Sequence, residues 1–181
     1  LLLVLAGAAV VAIDMLILAE DDSAADNSTA AGIDGPTTLA SAEVERVIDG
    51  DTIELIIDGK HERVRLIGID TPESVSRNVP QQCFGAEAAD AVRSLLPAGT
   101  RVEIQRDVEA RDRYDRLLLY VYRADDRLFV NRWLIEHGFA DAVSYRPNTA
   151  HQADFAEVLR AAKASSVGLW AVCDGPDQPL S

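Results

Sequence analysis

The strongest constraint on this chain is a pair of alternating segments joined by a two-residue turn. From Thr52 to Asp58, Ile53, Leu55 and Ile57 alternate with Thr52, Glu54 and Asp58, the period-two pattern of a half-buried strand. Asp58-Gly59 is a hairpin turn signal, and Glu62 to Ile69 returns as a second strand. Arg101–Arg106 and Arg116–Arg123 read as further strands, the latter setting Leu117, Leu119 and Val121 against Leu118, Tyr120 and Tyr122. Helical spacing recurs three times. Ala86–Leu96 carries Ala88, Val92 and Leu95 on one face and stops before Pro97 and Gly99. Val130–His137 is closed by Gly138, and Ala153–Ser166 has Phe155, Leu159 and Ala162 on its inner stripe. Strands first and helices interspersed later predict an α+β class, a small β-barrel or meander with helices packed on it.

This unit, residues 43–173, is one of four expected pieces. Residues 1–19 are apolar except for Asp14 and read as a signal peptide or membrane anchor, without the usual basic leader. Residues 20–42 are small, polar and acidic, without Lys or Arg, and read as a flexible tether. An acidic flank fits an outside location, so an extracellular or cell-surface protein is expected, with residues 1–19 as a possible membrane tether. Residues 174–181, with two prolines, read as a frayed tail.

A net charge of −13 argues at first against a polyanionic partner, because phosphates are bound through Lys and Arg. The distribution removes that objection. All seventeen bases but only twenty of the thirty acids lie between residues 46 and 173, a local net charge of −3. Fifteen of the bases are Arg. Recognition of a nucleic acid would then rest on local Arg clusters and a metal, with modest affinity and weak long-range steering.

Three clusters concentrate charge beside turn signals: Asp49-Gly50-Asp51-Thr52, Arg65 through Glu73, and Asp112-Arg113-Tyr114-Asp115-Arg116. Each alone reads as a solvated turn. Together they supply what phosphodiester hydrolysis needs. Asp51 and Asp70, with a main-chain carbonyl near Thr71, are hard oxygen ligands suited to Ca²⁺. Arg65 and Arg116 offer planar forks for phosphate oxygens and the charge that grows on them. Glu73 is placed to position or deprotonate an attacking water. Tyr114 and Tyr145 can stack on or hydrogen-bond to a nucleotide.

The order DGDT, VRLIGIDTPE, FGAEA, RDRYDRLLLYVY and GLW resembles the thermonuclease (staphylococcal nuclease) family across residues 43–170. The resemblance implies a five-stranded OB-fold barrel with three helices and a Ca²⁺-dependent endo- and exonuclease of DNA and RNA that leaves 3′-phosphates. It implies metal ligation by Asp51, Asp70 and the Thr71 carbonyl, and catalysis by Arg65, Glu73 and Arg116. Arg113 and Tyr114 match a pair that contacts the nucleotide phosphate, and Tyr145 matches a tyrosine of the base pocket. Where the family usually has Gly, this chain has Asp115. A positive φ is expected there, and its carboxylate would compete with phosphate for Arg116.

Cys83 and Cys173 are the only cysteines. In a reducing compartment they would be buried thiols, whereas export favours pairing. Exported members of the family often carry cysteines beside the same Phe-Gly and Gly-Leu-Trp motifs, which implies a disulfide here. Closing so long a loop would contribute roughly 4 kcal/mol in the chain-entropy model. A monomer is expected. The rival readings are a non-catalytic OB-fold module that binds nucleic acid or protein, and a structural cell-surface domain.

Overall fold

In a computed structural model of the chain, residues 39–74, 80–173 and 175–180 are described. The expected leader and the tether as far as residue 38 lie outside the described residues. Among the described residues no helix is long and apolar enough to cross a membrane.

Five strands close a barrel: β1 (Leu39–Val47), β2 (Thr52–Ile57), β3 (Lys60–Leu66), β5 (Arg101–Arg111) and β6 (Leu117–Arg123). Their order around it is β1-β2-β3-β6-β5. All neighbours are antiparallel except β3 and β6, which run parallel with Arg65 opposite Leu118. The period-two pattern works as expected: Val44, Ile53, Leu55, Val64, Leu66, Val102, Ile104, Leu119 and Val121 are at most 1% exposed and fill the core. Each such side chain contributes about 1.5–3 kcal/mol by burial, and β6 is buried on its other face too, at Leu118 and Tyr120. Helices α1 (Gly85–Leu95), α2 (Val130–Glu136) and α3 (Gln152–Ala164) fall where the spacing predicts, and a single further turn, α4 (Leu169–Val172), precedes Cys173.

β5 runs to Arg111, five residues past the expected Arg106, and three further boundaries differ because a distant partner decides each. First, β1 starts at Leu39, inside the stretch expected to be tether. Its Ala- and Ser-rich start has little strand propensity, but Ala42 pairs with Val102 and Val44 with Leu55, so β1 is the stave that closes the barrel. Second, the strand expected to run on to Ile69 breaks after Leu66. Gly68 adopts φ +80°, and a Cβ there would lie 2.5 Å from the Phe155 ring, so only glycine fits. The break releases β4 (Ile69–Asp70) from the barrel to pair with β7 (Asp141–Ala142), Asp70 opposite Asp141. Third, the expected frayed tail is docked. Cys83 N donates to Gln178 O at 2.8 Å, Leu180 N donates to Gln81 O at 3.2 Å, and Gln82 bridges to Pro179.

The expected disulfide is present between Cys83 and Cys173, and it fastens the start of this tail to the residue preceding α1's N-cap. Asn131, fully buried in α2, stitches the barrel where β3 ends. Its Oδ1 accepts from Val121 N at 2.9 Å and its Nδ2 donates to Ile67 O at 2.9 Å. No motif marks this residue in the sequence; buried between backbone groups, it satisfies a donor and an acceptor that water cannot reach.

Candidate active site

Strand register brings the three charged clusters to one end of the barrel. Thr52 pairs with Arg65 across β2 and β3, and Arg65 pairs with Leu118 across β3 and β6. Asp51, Arg65 and Arg116, separated in sequence by turns and a helix, therefore stand side by side on adjacent strands. The Arg116 guanidinium reaches Thr52 Oγ1 at 3.4 Å across that row.

Arg65 joins the two halves of the site. Its Nη2 lies 3.0 Å from Asp51 Oδ2 and donates to Asp70 Oδ1 at 2.8 Å, while Nη1 donates to the Leu66 and Ile69 carbonyls at 2.6 and 3.0 Å. The break at Gly68 makes this possible, because it turns the Ile69 carbonyl and the Asp70 carboxylate back toward the strand they left. On its other side Arg65 lines a cleft of about 450 Å³ together with Asp112, Arg113, Tyr114, Arg116 and Tyr145. Every expected substrate-binding residue borders that cleft. Tyr114 and Tyr145 stand at its rim, 65% and 70% exposed. Arg113 donates to the Tyr114 hydroxyl at 2.6 Å and lies 4.7 Å over its ring, so the pair presents one combined cationic and aromatic surface.

Asp49, Asp51, Asp70 and Glu73 concentrate negative charge on the far side of Arg65. Burial pushes the Asp70 carboxyl up to about 6, against the pull of Arg65 and with the charges of Asp51, Asp177 and Asp141 adding to it. Burial also pushes Glu73 up to about 7, helped by the charges of Asp49 and Asp51, a hydrogen bond with Asp49, and Asp70. Asp49 is itself buried and saturated: its Oδ1 accepts from Gly50 N at 2.9 Å and from Ser74 Oγ at 2.6 Å. Carboxyls raised in this way are short of positive charge, and hard oxygens lacking a cation are what a divalent ion binds. One carboxylate oxygen each from Asp51 and Asp70 converges on the single Nη2 of Arg65, and buried Thr71 follows Asp70 in the chain. Among the described residues no third His, Cys, Asp or Glu joins them as a ready cage. The donor set therefore fits a hard cation that completes its shell with main-chain oxygen and water.

Asp115 has the expected positive φ, +64°. Its carboxylate does not compete for Arg116: it is 88% exposed and lies 3.7 Å from Arg111 Nε. The carboxylate that engages Arg116 is that of Asp112. Its Oδ2 accepts from Arg116 Nε and stands 2.7 Å from Nη2, and its Oδ1 accepts from the backbone N–H groups of Tyr114 and Arg116. Arg116 and these N–H groups hold the Asp112 carboxyl below its ordinary range despite partial burial. The sequence signal that could have found it is an Asp opening a turn, where the carboxylate accepts from the N–H two residues on. Two further residues carry no such signal. Gln82 accepts from Glu73 N through its Oε1 at 2.7 Å, and Gly85 faces the Glu73 carbonyl so closely that a Cβ would lie 2.3 Å from that oxygen.

A barrel of this topology, with paired arginines at its mouth and carboxylates beside them, defines a phosphate-handling site on an OB-type scaffold. Comparison with known proteins agrees. The family model "Staphylococcal nuclease homologue" matches residues 63–172. A thermonuclease of Staphylococcus intermedius is 38% identical over 144 residues, 76% of this chain and 84% of its own. A thermonuclease of Staphylococcus hyicus is 38% identical over 128 residues, 71% and 74% of the two chains. Endonuclease YncB of Bacillus subtilis is 35% identical over 134 residues, 73% and 62%. The chain belongs to the staphylococcal nuclease family, and it is a nuclease that hydrolyses phosphodiester bonds of nucleic acids.

Proposed function

We propose that this nuclease is exported, depends on Ca²⁺ and cleaves both DNA and RNA to leave 3′-phosphates. The observation that carries the reading is the position of Arg65, whose guanidinium touches both Asp51 and Asp70 and also lines the cleft beside Arg116. Asp51, Asp70 and the Thr71 carbonyl would hold the cation, which supplies positive charge beside the scissile phosphate when bound. Arg65 and Arg116 donate to the non-bridging phosphate oxygens and stabilise the charge that develops there. Glu73 takes a proton from the attacking water as the new O–P bond forms, and the bond from phosphorus to the 5′-oxygen breaks. That oxygen acquires a proton from solvent. Tyr114, Arg113 and Tyr145 position the nucleotide at the rim.

Export rests on two supports: a disulfide, which persists in oxidising compartments, and the apolar stretch at residues 1–19, which would act as a signal or a membrane tether. The same reading takes the protein as a monomer. The test is digestion of plasmid and of RNA with Ca²⁺ or with EGTA, alongside calorimetric titration of Ca²⁺ into wild type and Asp51→Asn. Cleavage that needs Ca²⁺, with calcium binding lost in the variant, is expected. Cleavage indifferent to EGTA, or unaltered calcium binding by Asp51→Asn, would reject the proposed cofactor and its site.

A further inference from the structure

We propose that the C-terminal segment 176–180 is a positioning element of the active site, acting on Glu73 through Gln82. The inference rests on the reading of Glu73 as the base, and its starting point is that Gln82 is held from both sides.

On the active-site side, Gln82 and Glu73 exchange two hydrogen bonds. Gln82 Oε1 accepts from Glu73 N at 2.7 Å, and Gln82 N donates to Glu73 O at 2.9 Å. Gly85 closes against the same carbonyl, so the main chain of Glu73 is gripped at both its polar atoms. A carboxyl that must meet an attacking water gains from a fixed backbone, since a displacement of about 1 Å costs up to roughly a hundredfold in rate.

On the outer side, the Gln82 amide and its two chain neighbours are hooked to the tail. Gln82 Nε2 donates to Asp177 Oδ1 at 3.1 Å, which fixes the amide so that Oε1 points at Glu73 N. The chain on either side of Gln82 is laced to the tail by Cys83 N to Gln178 O and Leu180 N to Gln81 O. The Cys83–Cys173 disulfide pins the tail's origin to the same segment. The contacts thus form one relay: Asp177 orients the Gln82 amide, and the Gln82 amide holds Glu73. A tail whose task was only to cover apolar surface would have no use for this polar chain ending on Glu73.

The donor–acceptor order of the relay gives a test that simple loss of packing cannot imitate. Gln82→Glu keeps an oxygen for Glu73 N but loses the N–H that Asp177 accepts, and sets two carboxylates against each other. Adding Asp177→Asn supplies an N–H from the other side and restores the bond with its direction reversed. In the full chain, Gln82→Glu is expected to lower kcat by about tenfold with KM for nucleic acid within about twofold, and the double variant to recover most of that loss. Deletion of residues 176–181 is expected to match Gln82→Glu in kcat and to shift the acidic limb of its pH profile. In a Glu73→Gln background, neither change lowers the residual rate further. If Glu73→Gln abolishes turnover but Gln82→Glu and the deletion leave kcat and its pH profile intact, the positioning role is overturned, whatever happens to Tm. If the double variant stays as slow as Gln82→Glu, the link to Asp177 is overturned. Full activity of Glu73→Gln would instead reject the base assignment on which the proposal stands.

Discussion

The two corners of the candidate active site are built in opposite ways. Arg116 is held by its own neighbourhood: Asp112, four residues earlier, binds its guanidinium and its backbone N–H within one turn between β5 and β6. Glu73 is held by residues from far along the chain. Asp49, twenty-five positions away from Ser74, fixes the residue beside it, Gln82 holds its amide, and Asp177, ninety-five positions beyond Gln82, holds Gln82. A local corner forms as soon as its turn forms, whereas a distant one exists only once the barrel and the tail have assembled. The corner that needs an unusual carboxyl is the one whose environment is assembled from afar, because burial among like charges cannot be created by adjacent residues alone.

The comparison predicts different failures at the two corners. Glu73→Gln should produce the largest effect, a fall in turnover of about 10²–10⁴-fold, with nucleotide affinity nearly unchanged. The amide still donates to Asp49 as the protonated carboxyl does, so the fold survives and only the proposed proton acceptor is lost. Lost affinity with turnover intact, measured by single-turnover kinetics and equilibrium binding, would refute the role. Asp112→Ala should lower turnover by about tenfold to a hundredfold with a modest loss of Tm, because it releases Arg116 and removes the acceptor of two backbone N–H groups within a single turn. A large loss of Tm in this variant would erase the distinction between the corners. Asn131→Ala should leave the chemistry alone and destabilise the fold by about 1–3 kcal/mol, since a buried N–H and carbonyl lose their partners. Urea denaturation of that variant, read beside its kcat, separates the scaffold from the site.

The same contrast explains what the sequence could reveal. The alternation of Ile53, Leu55 and Ile57, the Asp58-Gly59 turn and the spacing of Phe155 and Ala162 locate strands and helices because period and turn chemistry are local. The order of the motifs, read against a known family, names Asp51, Arg65, Asp70, Glu73 and Arg116. Neither kind of reading reaches β1, whose first half has the composition of a tether and becomes a strand only because β2 and β5 need a partner. Nor does either reach the tail, where two prolines suggest an end to structure and the pairing with Gln81–Cys83 supplies one. Asp115 shows the limit within a motif. Its positive φ follows from its place in the turn, but the direction of its carboxylate depends on Arg111, a residue of the preceding strand. Sequence distance is the measure of what was hidden at β1 and at the tail, whereas at Asp115 it was the choice between two arginines that both lie close in sequence.

The smallest expected effect is also the most specific to the distant corner, because it isolates the Glu73 environment from the chemistry. In the cation-free protein the Glu73 carboxyl is raised from 4.5 to about 7, so folding favours its protonated form. The stability this confers is fully present below about 4.5 and is lost as pH rises through about 7, the folded state retaining a proton that the unfolded chain has already released. Asp70, raised from 3.8 to about 6, acts in the same direction over a lower window. Glu73→Gln removes the higher of the two contributions. The variant should therefore melt above wild type at pH 8 and together with it near pH 4. Asp49→Asn should act on the same quantity from outside: removing the charge that helps to raise Glu73 shifts its titration toward lower pH, as NMR of the side-chain carboxyl would record. Asp112→Ala should leave that titration where it is, because Asp112 is not among the groups that raise Glu73. A Glu73 titration that moved with Asp112 and not with Asp49 would show that the two corners are one electrostatic unit, and the contrast drawn from their hydrogen bonds would fail.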